Sequence, residues 1–215
     1  MKQLYIDALA KTEEAKWYPE YKEFTARVAG VKDWNNPADA TTDLLKEMVY
    51  AGVNGVSKIV DALSFFPINK RPDVEVFRPI IAEIAAARNA RLPEDVIKIC
   101  REKFYKLAGR NTHSIFNRVV AAFMPDIVSP VVTPADFNDA YEKLCEDKFI
   151  PRTRVAPGGD DWFVLNAWVM KKLRELVPDG EFNDVGHGAD NYRRGIAVWG
   201  VHMLDMEVWK ILHRK

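Results

Sequence analysis

Apolar residues along this chain recur at a spacing near 3.6, the period of an amphipathic helix, and hardly anywhere at the period of 2 that marks a strand. Leu44, Leu45, Met48 and Val49 form one stripe after a start at Asn36-Pro37, and Gly52 and Gly55 follow it as a C-cap and turn. Val76, Ile80, Ile81 and Ile84 form a second stripe running into AAAR, with Pro79 inside it. That helix therefore begins late or is kinked. After Leu92-Pro93, Val96, Ile97, Cys100, Phe104 and Leu107 make a third stripe, closed by Gly109. Ile115, Phe116, Val119, Val120 and Phe123 make a fourth, which Pro125 ends.

IVSPVVTP is β-branched but broken by proline, so it reads as an extended connector or at most a short edge strand. Thr133-Pro134 opens a helix through Phe137, Tyr141 and Leu144. PRTRVAPGGDD is a loop, and Asp160 or Asp161 at its end suits the N-cap of a helix bearing Trp162, Leu165, Val169, Leu173 and Leu176. A second loop, VPDGEFNDVGHGAD, precedes a last helix with Ile196, Trp199, Met203, Met206, Trp209 and Leu212. The pattern predicts an all-α protein: one helical domain over 1–215, with about eight or nine helices. A lobe boundary falls near the connector, giving lobes 1–125 and 134–215.

Composition narrows the function. With 31 basic against 31 acidic residues the net charge is zero, which excludes a general attraction to polyanions. Cys100 and Cys145 are too few for a disulfide framework, and four scattered histidines (His113, His187, His202, His213) offer no paired-ligand spacing. The chain starts without the apolar run of a signal peptide and has no membrane-length apolar stretch, so a cytoplasmic home is expected. No phosphate-binding loop GxxxxGK[ST] and no nucleophile elbow GxSxG is present, and no cofactor, metal or catalytic residue is expected.

Three features carry chemistry. Asp126, after Pro125, precedes Glu146 and Lys148 in the written form of a metal-dependent nuclease, PD…ExK. That chemistry needs both acids on adjacent strands around one metal ion, and this chain supplies no strands to hold them. Gly158-Gly159-Asp160-Asp161 lacks the alternating ligands of a calcium loop and reads as loop and N-cap. Charge is also uneven. Between Arg88 and Arg118, eight basic residues (Arg88, Arg91, Lys98, Arg101, Lys103, Lys106, Arg110, Arg118) meet three acidic ones (Glu94, Asp95, Glu102), a local net of about +5.

Such a stretch suits phosphate contacts through Lys98, Arg101, Lys103, Lys106, Arg110 and Arg118, with the following helix N-terminus as an added anion site. A solvated amphipathic face explains the same residues. Lys148, Arg152 and Arg154 are candidate extensions of the patch. Of the six tryptophans, those on stripes read as core and Trp34, beside Asn35-Asn36, as surface. His202 reads as a satisfied structural histidine, and His187 as a loop residue.

Three segments in order carry a resemblance: TTDLLKEMVYAGVNGVS (41–57), FNRVVAAFMPDIVSPVVTPADFNDAYEKL (116–144), and DWFVLNAWVMKKLRELVP (161–178) followed by YRRGIAVWGVHML (192–204). Together they resemble the helical region ahead of the motor domain in McrB-type proteins, the AAA+ GTPase subunits of modification-dependent (type IV) restriction systems. The resemblance implies a non-catalytic DNA-binding, target-recognition module in anti-phage defence, partnered by DNA with or without a modified base and by the GTPase motor or restriction subunits. A chain without the motor is an excised N-terminal piece or a stand-alone relative, and GTPase activity carries over to no residue here. An adaptor that regulates the motor is the alternative, and a small metal-dependent nuclease at Asp126, Glu146 and Lys148 a third.

Overall fold

The computed structural model describes residues 2–12, 14–59, 62–66, 71–153, 162–183, 186 and 188–213, the side chains of 2, 14, 15 and 205–213 excepted. Arg154, the Gly158–Asp161 loop and His187 therefore lie outside the described residues. The fold is all-α: nine α-helices and no strand among the described residues. They cluster into two compact units, one formed by Met1–Lys22 with Pro125–Lys215 and the other by Glu23–Met124. The passage from one unit to the other at Pro125 falls where the sequence breaks, but the first 22 residues group with the C-terminal half rather than with a lobe 1–125.

In the 23–124 unit, α3 (Thr42–Val49) starts at Thr41, whose hydroxyl accepts from the Leu44 N–H at 3.3 Å. The expected start at Asn36-Pro37 is instead a turn, because the Asn36 side chain accepts from the Ala38 N–H at 3.0 Å and folds the chain on itself. A 3₁₀ turn, Val74–Phe77, runs directly into α4 (Arg78–Ala87). Pro79 lies in the first turn of α4, where its missing N–H has no partner to lose, so the proline starts this helix instead of kinking it.

Helix α5 (Pro93–Ala108) stops at Gly109, which takes the left-handed φ of 73° that L side chains avoid. Helix α6 (His113–Phe123) is the centre of the unit: every residue from Ser114 to Phe123 is buried. Phe77, Phe104 and Phe116 form an aromatic line with ring centroids 4.5 and 5.6 Å apart. Trp34 belongs to this core too. It is 6% exposed and packs edge-on to Phe123 at 4.9 Å, which corrects the surface position expected from its polar neighbours.

In the other unit, α1 (Lys2–Lys11), α7 (Pro134–Glu146) and α8 (Trp162–Leu176) all pack against α9 (Asn191–His213). Helix α2 (Glu14–Ala29) divides between the units at Lys22. A Cβ added to Gly200 would lie 2.0 Å from the Ala8 carbonyl oxygen, so glycine is what lets α1 and α9 approach backbone to backbone. The connector before α7 forms no strand because side chains satisfy its backbone. Asn166 accepts from the Ser129 N–H at 2.8 Å, and the Trp162 indole donates to the Val131 carbonyl at 2.9 Å. Helices α1 and α2 arise where the hydrophobic pattern had marked no stripe. No helix is long and apolar enough to cross a membrane among the described residues.

Candidate nucleic-acid interface

Helix α5 owes its position to a buried stripe, Ile97, Cys100, Phe104 and Ala108, set against α4 and α6. The opposite face is left to water and carries most of the expected cations. Lys98, Lys103, Lys106 and Arg110 are exposed and Arg101 is half-buried, with Arg88 and Arg91 exposed ahead of the helix. The acids Glu94, Asp95 and Glu102 stand exposed on the same helix and thin the positive field.

Lys103 and Arg110 each have a local partner. The Lys103 ammonium donates to both Glu83 oxygens at 2.8 and 2.6 Å, a bond that pushes its pKa up. Both groups are exposed, and such a surface pair is weak enough to be exchanged for a phosphate. One Arg110 nitrogen leans on the Ser64 carbonyl at 3.4 Å. Apolar side chains are exposed among the cations too: Ile99 and Leu107 on the helix and Leu92 just ahead of it are 53, 39 and 52% exposed.

Arg118 must be removed from the expected set. It is 0% exposed, and its guanidinium donates to the carbonyls of Met48 at 3.0 Å, Val49 at 3.1 Å and Ala51 at 2.6 Å. A C-terminal helix end leaves carbonyls without intrahelical partners, and Arg118 supplies them for α3. Burial pushes its pKa down to about 10. The Asn54 side chain completes the cap by donating to the Glu47 carbonyl at 3.1 Å, while its oxygen accepts from the N–H groups of Val56 and Ser57. Arg118 and Asn54, rather than the glycines of AGVNGVS, finish this helix.

The N-terminus of α6 is also less open than an anion site requires, since Thr112 and Ser114 are buried and the Thr112 hydroxyl makes no capping bond. Its accessible part is His113, whose Nδ1 lies 2.7 Å from the Tyr105 hydroxyl of α5. Lys148 and Arg152 belong to the other unit, where Arg152 pairs with Glu142.

Among the described residues, the nuclease residues sit on a helix end and in connecting segments, without the adjacent strands that chemistry needs. Glu146 is the exposed last residue of α7, Lys148 follows it at a left-handed φ of 55°, and Asp126 lies in the connector with its carbonyl accepting from Arg174. Among the described residues no group of three potential ligands could hold a metal ion. Both thiols are buried and free, and burial pushes Cys100 up to about 12, away from nucleophilic use.

Other polar clusters went unsuspected in the sequence. Arg194 is as buried as Arg118, and His202, 5% exposed, stands between two carboxylates without a hydrogen bond at Nδ1 rather than being satisfied. A lone cation inside an otherwise apolar helical stretch, as in IFNRVVAAF, was the available sign of a buried arginine. No protein-family model, curated protein or solved structure matches this chain.

Proposed function

We propose that this chain is a non-catalytic DNA-contacting module of a cytoplasmic McrB-like restriction system, meeting phosphates through the outward face of α5. The observation that carries this reading is the exposure of Lys98 and Lys106 on one helix, with Arg101 half-exposed beside them and Arg110 exposed just past its end. Lysine and arginine on such a face neutralise phosphates and release counterions, so affinity falls steeply with salt. Phosphate contacts position a protein on DNA without specifying sequence, so reading a modified base falls to other side chains or to a partner subunit.

The test is a salt-titrated binding assay on duplexes with and without 5-methylcytosine. The Lys98→Glu, Lys106→Glu double variant weakens binding and lowers the slope of log affinity against log salt by roughly 2, close to one per lost phosphate contact. Absence of binding at low salt overturns the reading. It would then favour the adaptor function, in which the exposed Leu92, Ile99 and Leu107 meet a GTPase motor or restriction subunit.

A further inference from the structure

In the unit that holds α7 and α9, a single imidazole bridges the two helices. His202 of α9 is 5% exposed, and its two ring nitrogens face different carboxylates of α7. Nε2 lies 3.8 Å from an oxygen of Asp136, and Nδ1 lies 3.8 Å from an oxygen of Asp139. Both distances are too long for hydrogen bonds. The Trp199 ring covers the imidazole at 5.0 Å.

A neutral imidazole has one N–H and one lone pair, so it can donate to only one of these acids and turns a lone pair toward the other. An imidazolium has two N–H groups, one for each. The two aspartates are spaced i, i+3 on α7 and so share a face of that helix. The arrangement therefore has the donor and acceptor complement of the protonated ring.

We propose that His202 is a proton-operated clasp, which on protonation draws in Asp136 and Asp139 and tightens α7 onto α9. Among the described residues these are the two carboxylates within ion-pair range of the ring. Two of the surrounding effects oppose each other. Burial pushes the Asp136 carboxyl up, while the neighbouring His202 and a hydrogen bond from Thr133 pull it down. The Asp139 side chain is 62% exposed, so its carboxylate stays solvated and ready to close on the ring. The clasp does not rest on the α5 reading, since α5 lies in the other unit.

A proton held more tightly by the folded chain than by the unfolded chain adds stability as pH falls, and that gain is lost as pH rises through the folded-state titration. The test compares urea unfolding of the natural chain with His202→Gln and Asp139→Asn between about pH 8 and pH 6, a window in which ordinary carboxylates stay ionised. From the upper to the lower pH, the folded-to-unfolded ratio of the natural chain rises about tenfold relative to His202→Gln. Asp139→Asn loses part of that rise. Parallel pH dependence in the natural chain and His202→Gln overturns the clasp. Should His202→Gln fail to fold, Asp139→Asn decides, because equal pH dependence in that variant and the natural chain overturns it as well.

Discussion

Among the described residues each of the two units buries one arginine completely, and the two are held in different ways. Arg118 and Arg194 are both 0% exposed. Arg118 meets three backbone carbonyls at the end of α3, and among the described residues no carboxylate pairs with it. Arg194 donates to one carbonyl, Val177 at 2.9 Å, and then to Asp179 at 2.6 Å and Asn191 at 2.7 Å. Asp179 has its own side chain 76% exposed, so the charge of Arg194 is balanced by a group that water still reaches.

The difference shows two uses of one side chain. In the 23–124 unit the guanidinium is a helix cap, favoured by the partial negative charge at a C-terminal helix end. In the other unit it ties the end of α8 to the start of α9. Removing a buried charge hurts most where its former partners cannot be rehydrated. Arg118 has the more enclosed partners, and so the larger loss on substitution.

The largest expected effect follows from that. Arg118→Met leaves three carbonyls at the end of α3 without donors, and a loss of about 4 kcal/mol in unfolding free energy is expected by chemical denaturation. Arg194→Met leaves Asp179 free to turn to water, and the same measurement gives about 2 kcal/mol. Equal losses in the two variants would break the contrast between a cap and a tie.

The smallest effect sharpens it with a third buried arginine. Arg78, 6% exposed, donates to the Trp34 and Ala40 carbonyls at 3.2 and 2.6 Å and to Glu75 at 2.7 Å, so it combines both modes. Hydrogen bonds from Arg78 and Thr42 hold the Glu75 carboxyl below its usual range. A depressed carboxylate contributes stability that is present above its unfolded pKa and is lost as pH falls through the folded one. Glu75→Gln is therefore less stable than the natural chain at neutral pH, and the gap closes below about pH 4, as followed by thermal unfolding at stepped pH.

Much of the backbone plan is legible in the sequence because it is written in local chemistry. Pro93 and Gly109 bracket α5, and Pro134 opens α7. Long-range chemistry is not legible in the same way. Thr41 wins over Asn36-Pro37 as the start of α3 because Asn36 is occupied by its own turn. Arg118 looks like the other cations of its stretch until residues about seventy positions earlier in the chain place their carbonyls around it. The exposed cations of α5 could be read because their helix has one plainly apolar stripe, which assigns every other position to water. Helices α1 and α2 escaped the pattern. Of the apolar residues of α1 only Tyr5, Ala8 and Leu9 are buried, and Ala8 works through its smallness against Gly200.

The discontinuous unit also sets an order of events during synthesis. Residues 23–124 form a unit from contiguous chain, whereas α1 must wait for α9 at the far end of the sequence. At a translation rate of about 5–20 residues per second, that wait lasts roughly 10–40 seconds. Throughout it, Tyr5, Ala8 and Leu9 have no α9 to cover them. The nascent chain is thus an early-folding middle preceded by an uncovered α1, and a chaperone that holds short apolar helices would find its client at α1 rather than at the core.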